Sequence, residues 1–327
     1  MNKLLNQWIV GVDLGGTTTK LAFINMDGEI VYKWEIPTDN SNAGQNITTN
    51  IANTIADKLN KVGSSKSKLL GIGMGAPGPV NYKTGVILNV VNLGWTDNYP
   101  LKKRLEAATG LPALIENDAN CAALGEMWNG AGKGAQDLVC VTLGTGVGGG
   151  VIAAGNIVQG INGAAGEIGH ITAIPFGGAA CNCGKTGCLE TLASATGVVR
   201  LANEELAKST AVGLLAKKLA ETGEITSKDV FDSARNGDEV ATKVLHEVTF
   251  HLGFVLAGIA NTLNPEKIVL GGGVSKAGSI LLDSVRENFE RFAFPAVRES
   301  TKIELATLGN DAGVTGAAWL IKNMKSL

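Results

Sequence analysis

Apolar positions along this chain come first in unbroken runs and then at helical intervals. Residues 8–13 (WIVGVD) and 18–25 (TTKLAFIN) are dense in apolar and small side chains, as in strands covered on both faces, and a Gly-Gly-Thr turn separates them. Asp27-Gly28 is a strong hairpin signal and leads into a third strand over 29–36. From 46 to 62 the period changes: Ile47, Ile51, Ile55, Leu59 and Val62 recur at the spacing of one helix face. A fourth strand over 69–74 runs into Gly75-Ala76-Pro77-Gly78-Pro79. A helix over 101–109 stops at Gly110, and a strand over 113–116 and a helix over 119–129 follow.

The order then restarts. A strand over 137–143, a glycine turn and a strand over 149–154, closed by Asn156, echo residues 10–21, so the chain reads as a duplicated α/β core. Beyond residue 191 it is mainly helical, with a long periodic helix over 238–263 that ends at Asn264-Pro265. A strand over 267–270 runs into Gly271-Gly272-Gly273, and Ser275 is placed to cap the helix after it. A last amphipathic helix covers 312–325. A chain of 327 residues suits two domains of about 150 residues each. We expect them at 1–118 and 119–311, with the helix at 312–327 packing back on the first and a cleft between the two.

Composition narrows the class. Hydrophobic residues make up 45%, charged residues 18%, and the formal net charge is −2, a globular profile without the basic excess of a sequence-independent nucleic-acid binder. The N-terminal apolar run is too short for a secretory signal, and the run at 252–260, interrupted by Gly253 and Gly258, is too short to span a bilayer. The 44 glycines are roughly twice the usual share near 7%, yet they cluster in short runs after strands, where backbone turns sharply or meets a ligand. Cys121 and Cys140 stand alone as small buried residues, and the expected compartment is the reducing cytoplasm.

Chemistry concentrates at 167–190 (EIGHITAIPFGGAACNCGKTGCLE). Cys181, Cys183 and Cys188 with His170 make a closed set of three thiolates and an imidazole, which favours structural Zn2+, and Glu167 and Glu190 bracket it. Without a metal the same residues are three idle thiols in a glycine-rich loop, a redox liability. Asp13-Leu14-Gly15-Gly16-Thr17-Thr18-Thr19-Lys20 sets an acid at a strand end before a turn rich in N–H groups, suited to phosphate oxygens with Mg2+ held through water; an ordinary hairpin with a buried Asp reads equally well. It lacks the Walker A spacing. Gly144-Thr145-Gly146 is the partner turn in the second half. Glu116-Asn117-Asp118 opens a helix after a strand, where either Asn117 or Asp118 is a competent cap, and where Asp118 is also the carboxylate best placed to accept a hydroxyl proton.

Together DLGGTTTK, ENDAN, TLGTGVGGG, GEIGH and CNCGKTGCLE resemble the ROK family of sugar kinases and repressors, within the actin, hexokinase and Hsp70 ATPase fold with its ribonuclease H-like core. The resemblance runs from about Trp8 to the C-terminus. It implies ATP, Mg2+ and structural zinc, and transfer of the γ-phosphoryl group of ATP to the 6-hydroxyl of glucose. Asp118 is then the base; Asn117, Glu167, His170 and Glu190 contact sugar, as do the loops beginning at Gly75 and Asn92. Asp13, Gly15, Gly16, Thr17, Thr18, Lys20, Gly144, Thr145 and Gly146 fall in the two phosphate motifs, and Gly271, Gly272 and Gly273 on the adenosine side. The resemblance also implies a homodimer. The alternatives are another hexose (fructose, mannose or N-acetylmannosamine) and a sugar-sensing repressor. The latter is disfavoured because the phosphate motif begins at Asp13, leaving no room for a DNA-binding module within this sequence.

Overall fold

The computed structural model describes residues 7–88, 90, 93–95, 98–210 and 213–324. Asn92 and Lys325 therefore lie outside the described residues.

In the first half, β1 (Trp8–Leu14), β2 (Thr18–Asn25) and β3 (Ile30–Pro37) are followed by α1 (Ile47–Lys61) and β4 (Leu69–Ala76). A short pair, β5 (Val80–Asn81) and β6 (Val86–Ile87), then leads to α2 (Leu101–Thr109) and β7 (Ala113–Asn117). The sheet order is β3-β2-β1-β4-β7. Central β1 is almost wholly buried, whereas edge strand β3 alternates half-buried and exposed residues. The second half begins after α3 (Asp118–Asn129) with β8 (Leu138–Leu143), β9 (Val147–Ala153) and β10 (Asn156–Ile157). Then come α4 (Glu190–Ala193), α5 (Ala195–Lys208), α6 (Leu214–Thr222), α7 (Ser227–Arg235), α8 (Glu239–Leu263) and β11 (Lys267–Gly271). The chain closes with α9 (Ser279–Phe292), α10 (Pro295–Ser300), β12 (Lys302–Leu305) and α11 (Ala312–Lys322).

This second sheet, β10-β9-β8-β11-β12, repeats the first strand for strand. β2–β3 and β9–β10 are antiparallel, as are β1–β2 and β8–β9. β1–β4, β4–β7, β8–β11 and β11–β12 are all parallel. The expected duplication is therefore present, down to the polarity of each pair.

Two helices lie between the sheets. α11 seats so closely on β1 and β4 that a Cβ at Gly11 or Gly73 would overlap the carbonyl oxygens of Val314 and Ala317. It crosses α3 in the same manner, because a Cβ at Gly125 or Gly316 would overlap the carbonyls of Ala312 and Cys121. α3 in turn covers β8 and β9 through Cys121, Ala123, Leu124 and Met127, packed with Cys140 and Ile152. Cys121 and Cys140 are the small buried residues expected.

By length and composition α8 meets what a bilayer span requires. Val244, Val248, Leu252 and Leu256 on its inner face instead belong to the core of the second half. One expectation fails locally. Ser275 does not cap a helix: its hydroxyl donates to the Gly272 carbonyl, and α9 begins only after Gly278, whose φ of 73° ends an intervening 3-10 turn. The edge strand β12, which sequence reading did not single out, alternates polar and apolar residues over only four positions and pairs in parallel with β11 from Lys267 to Leu270.

Candidate active site

One cleft of about 500 Å³ runs between the halves. It is lined by Asp13, Lys20, Asn117, Asp118, Gly144, Gly146, Glu167, His170, Glu190, Gly271 and Gly272, so eleven of the sequence-derived site residues share one wall-to-wall space. Gly15, Gly16, Thr17, Thr18, Thr145 and Gly273 are not in its lining; Gly16, Thr17 and Thr145 are exposed. Gly75 is buried at the end of β4 against Cys121, and from that loop Gly78 lines the cleft instead. Five carboxylates (Asp13, Asp118, Glu126, Glu167 and Glu190) face a single lysine, Lys20. Such a wall suits a neutral polyhydroxyl ligand and divalent cations better than a bare polyanion.

The two glycine turns supply the anion-binding elements. Among the described residues, the backbone N–H groups of Gly16 and Thr17 in the β1–β2 turn have no protein partner, nor do those of Thr145 and Gly146 in the β8–β9 turn. Adjacent free amides in a tight turn form an anion-binding concavity. Asp13 at the end of β1 pairs with Lys20 at 3.5 Å. Burial nevertheless holds its pKa above the usual carboxylate value.

At the start of α3 the capping question is settled. Asn117 is the N-cap: its side-chain oxygen accepts from Ala119 N at 2.9 Å and Asn120 N at 3.2 Å, while its amide donates to the Gly78 carbonyl at 3.2 Å. The Asp118 carboxylate accepts from Ala119 N at 2.8 Å and caps no further amide of the helix among the described residues. Its carboxylate is reachable from the cleft water yet crowded by the walls. Desolvation first, then the like charges of Asp13 and Glu167, push its pKa up to about 6. A carboxyl poised there is ionised near neutrality and basic enough to take a proton.

Behind this lies a brace that sequence reading missed. Buried Glu116 accepts from Asn117 N at 2.8 Å and Asn120 Nδ2 at 3.0 Å, and its other oxygen accepts from Gln159 Nε2 at 2.6 Å. It ties the loop of residues 158–166 to the start of α3. An acid beside Asn117 is visible in the sequence, but nothing local pairs it with Gln159.

Glu190 joins three parts of the site. It lines the cleft, accepts from Val147 N at 3.0 Å beside the second glycine turn, and lies 3.8 Å from Cys181 Sγ. The metal-ligand set is assembled as expected. The ligand atoms of His170, Cys181, Cys183 and Cys188 lie within 4.8 Å of one another, with Cys181 Sγ 3.6 Å from His170 Nδ1 and Cys183 Sγ 3.6 Å from Cys188 Sγ. Tetrahedral zinc with bonds of about 2.0–2.3 Å places its ligands about 3.3–3.8 Å apart, so this cluster can hold a zinc ion. The Nδ1 atom faces the sulfurs, while His170 also lines the cleft.

Duplicated sheets, paired glycine turns and an acid-lined cleft define a phosphotransferase of the actin and hexokinase-like ATPase fold. A family model described as ROK family matches residues 9–324, and the chain belongs to that family. The chain is 54% identical to a glucokinase of Halalkalibacterium halodurans over 98% of its own length and 97% of that protein. It is 36% identical to a glucokinase of Thermotoga maritima, with 96% and 97% covered. Among solved structures, a ROK family glucokinase from Streptomyces griseus in complex with glucose and AMPPNP superposes with a TM-score of 0.79 at 35% identity, over 96% of this chain and 98% of that one.

Proposed function

We propose that this chain is an ATP-dependent glucokinase that moves the γ-phosphoryl group of ATP to the 6-hydroxyl of glucose. The observation that carries the reading is Asp118: a carboxylate on the cleft wall, relieved of capping by Asn117 and raised to a pKa of about 6. The 54% identity to a glucokinase over nearly the whole chain supports the reaction class and the sugar.

In this reading glucose lies at the Glu167, His170 and Glu190 end of the cleft, where carboxylates and imidazole hydrogen-bond its hydroxyls. Asn117, whose amide has a second N–H beyond the one given to Gly78, donates the remaining contact. Asp118 accepts the 6-hydroxyl proton as that oxygen attacks phosphorus in line. The free amides of Gly16, Thr17, Thr145 and Gly146 receive the phosphate oxygens, with Lys20 beside Asp13, and Gly271 to Gly273 bound the adenosine side. Among the described residues no backbone donor uses the Asp13 carboxylate lone pairs, which fits a water-mediated hold on Mg2+; that ion would neutralise charge on the transferring group when bound. Zinc on His170, Cys181, Cys183 and Cys188 is structural and fixes the loop that carries Glu167 and Glu190.

We assign the two domains to residues 1–118 and 119–311, closing over the sugar and so excluding water. The enzyme is cytoplasmic, in keeping with a thiolate cluster that an oxidising compartment would attack. It is a homodimer: Phe250, 36% exposed, and Phe254, 44% exposed, pack edge to face on Phe292 and form an aromatic strip that suits a second copy. The decisive experiment is a panel of hexoses with ATP or polyphosphate in an assay that reads sugar phosphate. Glucose with ATP should give the highest kcat/KM; a preference for another hexose or for polyphosphate would replace this assignment.

A further inference from the structure

In both glycine turns the carbonyls are held by partners in the chain, Gly146 O by Gly144 N across its own turn at 2.9 Å and the others from outside the turn. In the first, Gly15 O accepts from the Thr38 hydroxyl at 2.8 Å, Gly16 O from Asn40 Nδ2 at 2.6 Å and Thr17 O from Thr38 N at 2.9 Å. Thr38 is itself fixed by Thr19, hydroxyl to hydroxyl at 2.9 Å. In the second turn Gly144 O accepts from Ala195 N at 2.7 Å and Thr145 O from the Thr196 hydroxyl at 2.9 Å. Thr196 is steadied by Ser194, which caps α5 and bonds back to the Glu190 carbonyl. The two halves use unrelated segments for this, the end of β3 in one and the start of α5 in the other. The result is the same: two adjacent amides left without a partner among the described residues.

Glycine makes the alternative cheap. The plane held by the Thr38 hydroxyl lies between Gly15 and Gly16, and those held by Asn40 and Thr196 have a glycine on one side, so little opposes a flip; a flipped plane would present a carbonyl oxygen where an amide should meet an anion. We propose that Asn40 and Thr196, together with Thr38, are positioning residues for the donor phosphates. They act as carbonyl latches that hold each turn in its amide-out state. Neither Asn40 nor Thr196 lies in the glycine motifs, and neither lines the cleft. The inference rests on the reading that these turns take the phosphates of ATP.

Asn40 and Thr196 are both exposed, so substitutions leave the core intact. Thr196→Val keeps the shape and removes the hydroxyl; Thr196→Ser restores it. A single net hydrogen bond corresponds to roughly 2- to 12-fold, so KM for MgATP and the dissociation constant of AMPPNP should rise by about that factor in Thr196→Val. Thr196→Ser should return them to wild type. KM for glucose and the melting temperature should stay put in both. Asn40→Leu should act alike on the first turn, and the double variant should bind AMPPNP more weakly than either single variant, because each latch holds a different turn. If Thr196→Val leaves AMPPNP affinity unchanged, or raises the KM of both substrates together, the latch is overturned. A wild-type chain that phosphorylates no hexose with MgATP would sink the parent reading instead, which the same assay shows separately.

Discussion

Replacing Asp118 with Asn removes one oxygen's charge and almost nothing else. The cap of α3 belongs to Asn117, and the one bond Asp118 makes, from Ala119 N at 2.8 Å, is to an oxygen that Asn retains. Helix and fold should therefore persist. The basic carboxylate is lost, and removal of a general base costs about 10²- to 10⁴-fold in kcat, or about 2.7 to 5.5 kcal/mol of barrier. The KM for glucose should change by no more than about twofold, because ground-state hydrogen bonding survives. The wild-type enzyme should show an acidic limb in kcat/KM with its midpoint near the Asp118 pKa of about 6, and Asp118→Asn should lack it. Stability should move the other way. Asp118 titrates near 6 in the fold against 3.8 unperturbed, so its ionised form is disfavoured by folding. The native state is penalised as pH rises from 3.8 through 6, and the neutral variant should melt higher than wild type at pH 7.5 but not at pH 3.5. A coupled ADP-release assay at saturating glucose and ATP gives kcat, and calorimetry gives the melting temperatures. A kcat for Asp118→Asn within about threefold of wild type would falsify the assignment, since it lies far outside the range for a lost base.

Freshly purified protein should carry about one zinc per chain by elemental analysis, and Cys181→Ser should lose it together with glucose affinity, because the loop bearing Glu167 and Glu190 loses its anchor. Asn117→Ala should lower stability by about 1 kcal/mol in urea titrations through loss of the α3 cap, and weaken glucose binding in the same protein. Glu116→Ala leaves Asn117 N, Asn120 Nδ2 and Gln159 Nε2 without their acceptor, and should cost about 2–4 kcal/mol with a raised KM for glucose; unchanged stability would mean that water replaces the brace. Glu126, buried and accepting from Ala131, Thr307 and Leu308 N–H groups, should prove as costly to truncate to Ala, with the larger kinetic effect on MgATP because it fixes the loop beside Ala306 and Gly309.

What the sequence made legible was local. Hairpin β2–β3 announces itself by Asp27-Gly28, α1 by the spacing of Ile47, Ile51, Ile55 and Leu59, and the metal set by its cysteine spacing. The pair Asn117-Asp118 was legible as a helix start, and the structure gives the cap to Asn117. What stayed hidden needs a partner far along the chain. Gln159 meets Glu116 across 43 residues, Glu190 meets Val147 across 43, and Asn40 reaches Gly16 across 24. No periodicity encodes such pairs. Ser275 misled because a Ser after three glycines has the look of a cap, whereas the helix starts one short turn later, beyond a glycine with positive φ. In the second hairpin, Val147 and Gly148 belong to β9, since continuous pairing with Leu143 and Thr142 outweighs the weak strand preference of glycine.

The crossing of α3 and α11 at Gly125 and Gly316 has a mechanical meaning. Helices usually meet through interlocked side chains, and turning one against the other means forcing each chain from rotamer to rotamer, as a gear must skip teeth. Here main chain rests on main chain, a smooth bearing with nothing to unlock. A methyl group placed at that contact would overlap the carbonyl of Ala312 or Cys121, and because backbone cannot step aside as a side chain can, the two helices would have to part. Alanine at either glycine should therefore lower the melting temperature first, and any loss of turnover that follows would report a spread seam between the two sheets rather than missing chemistry.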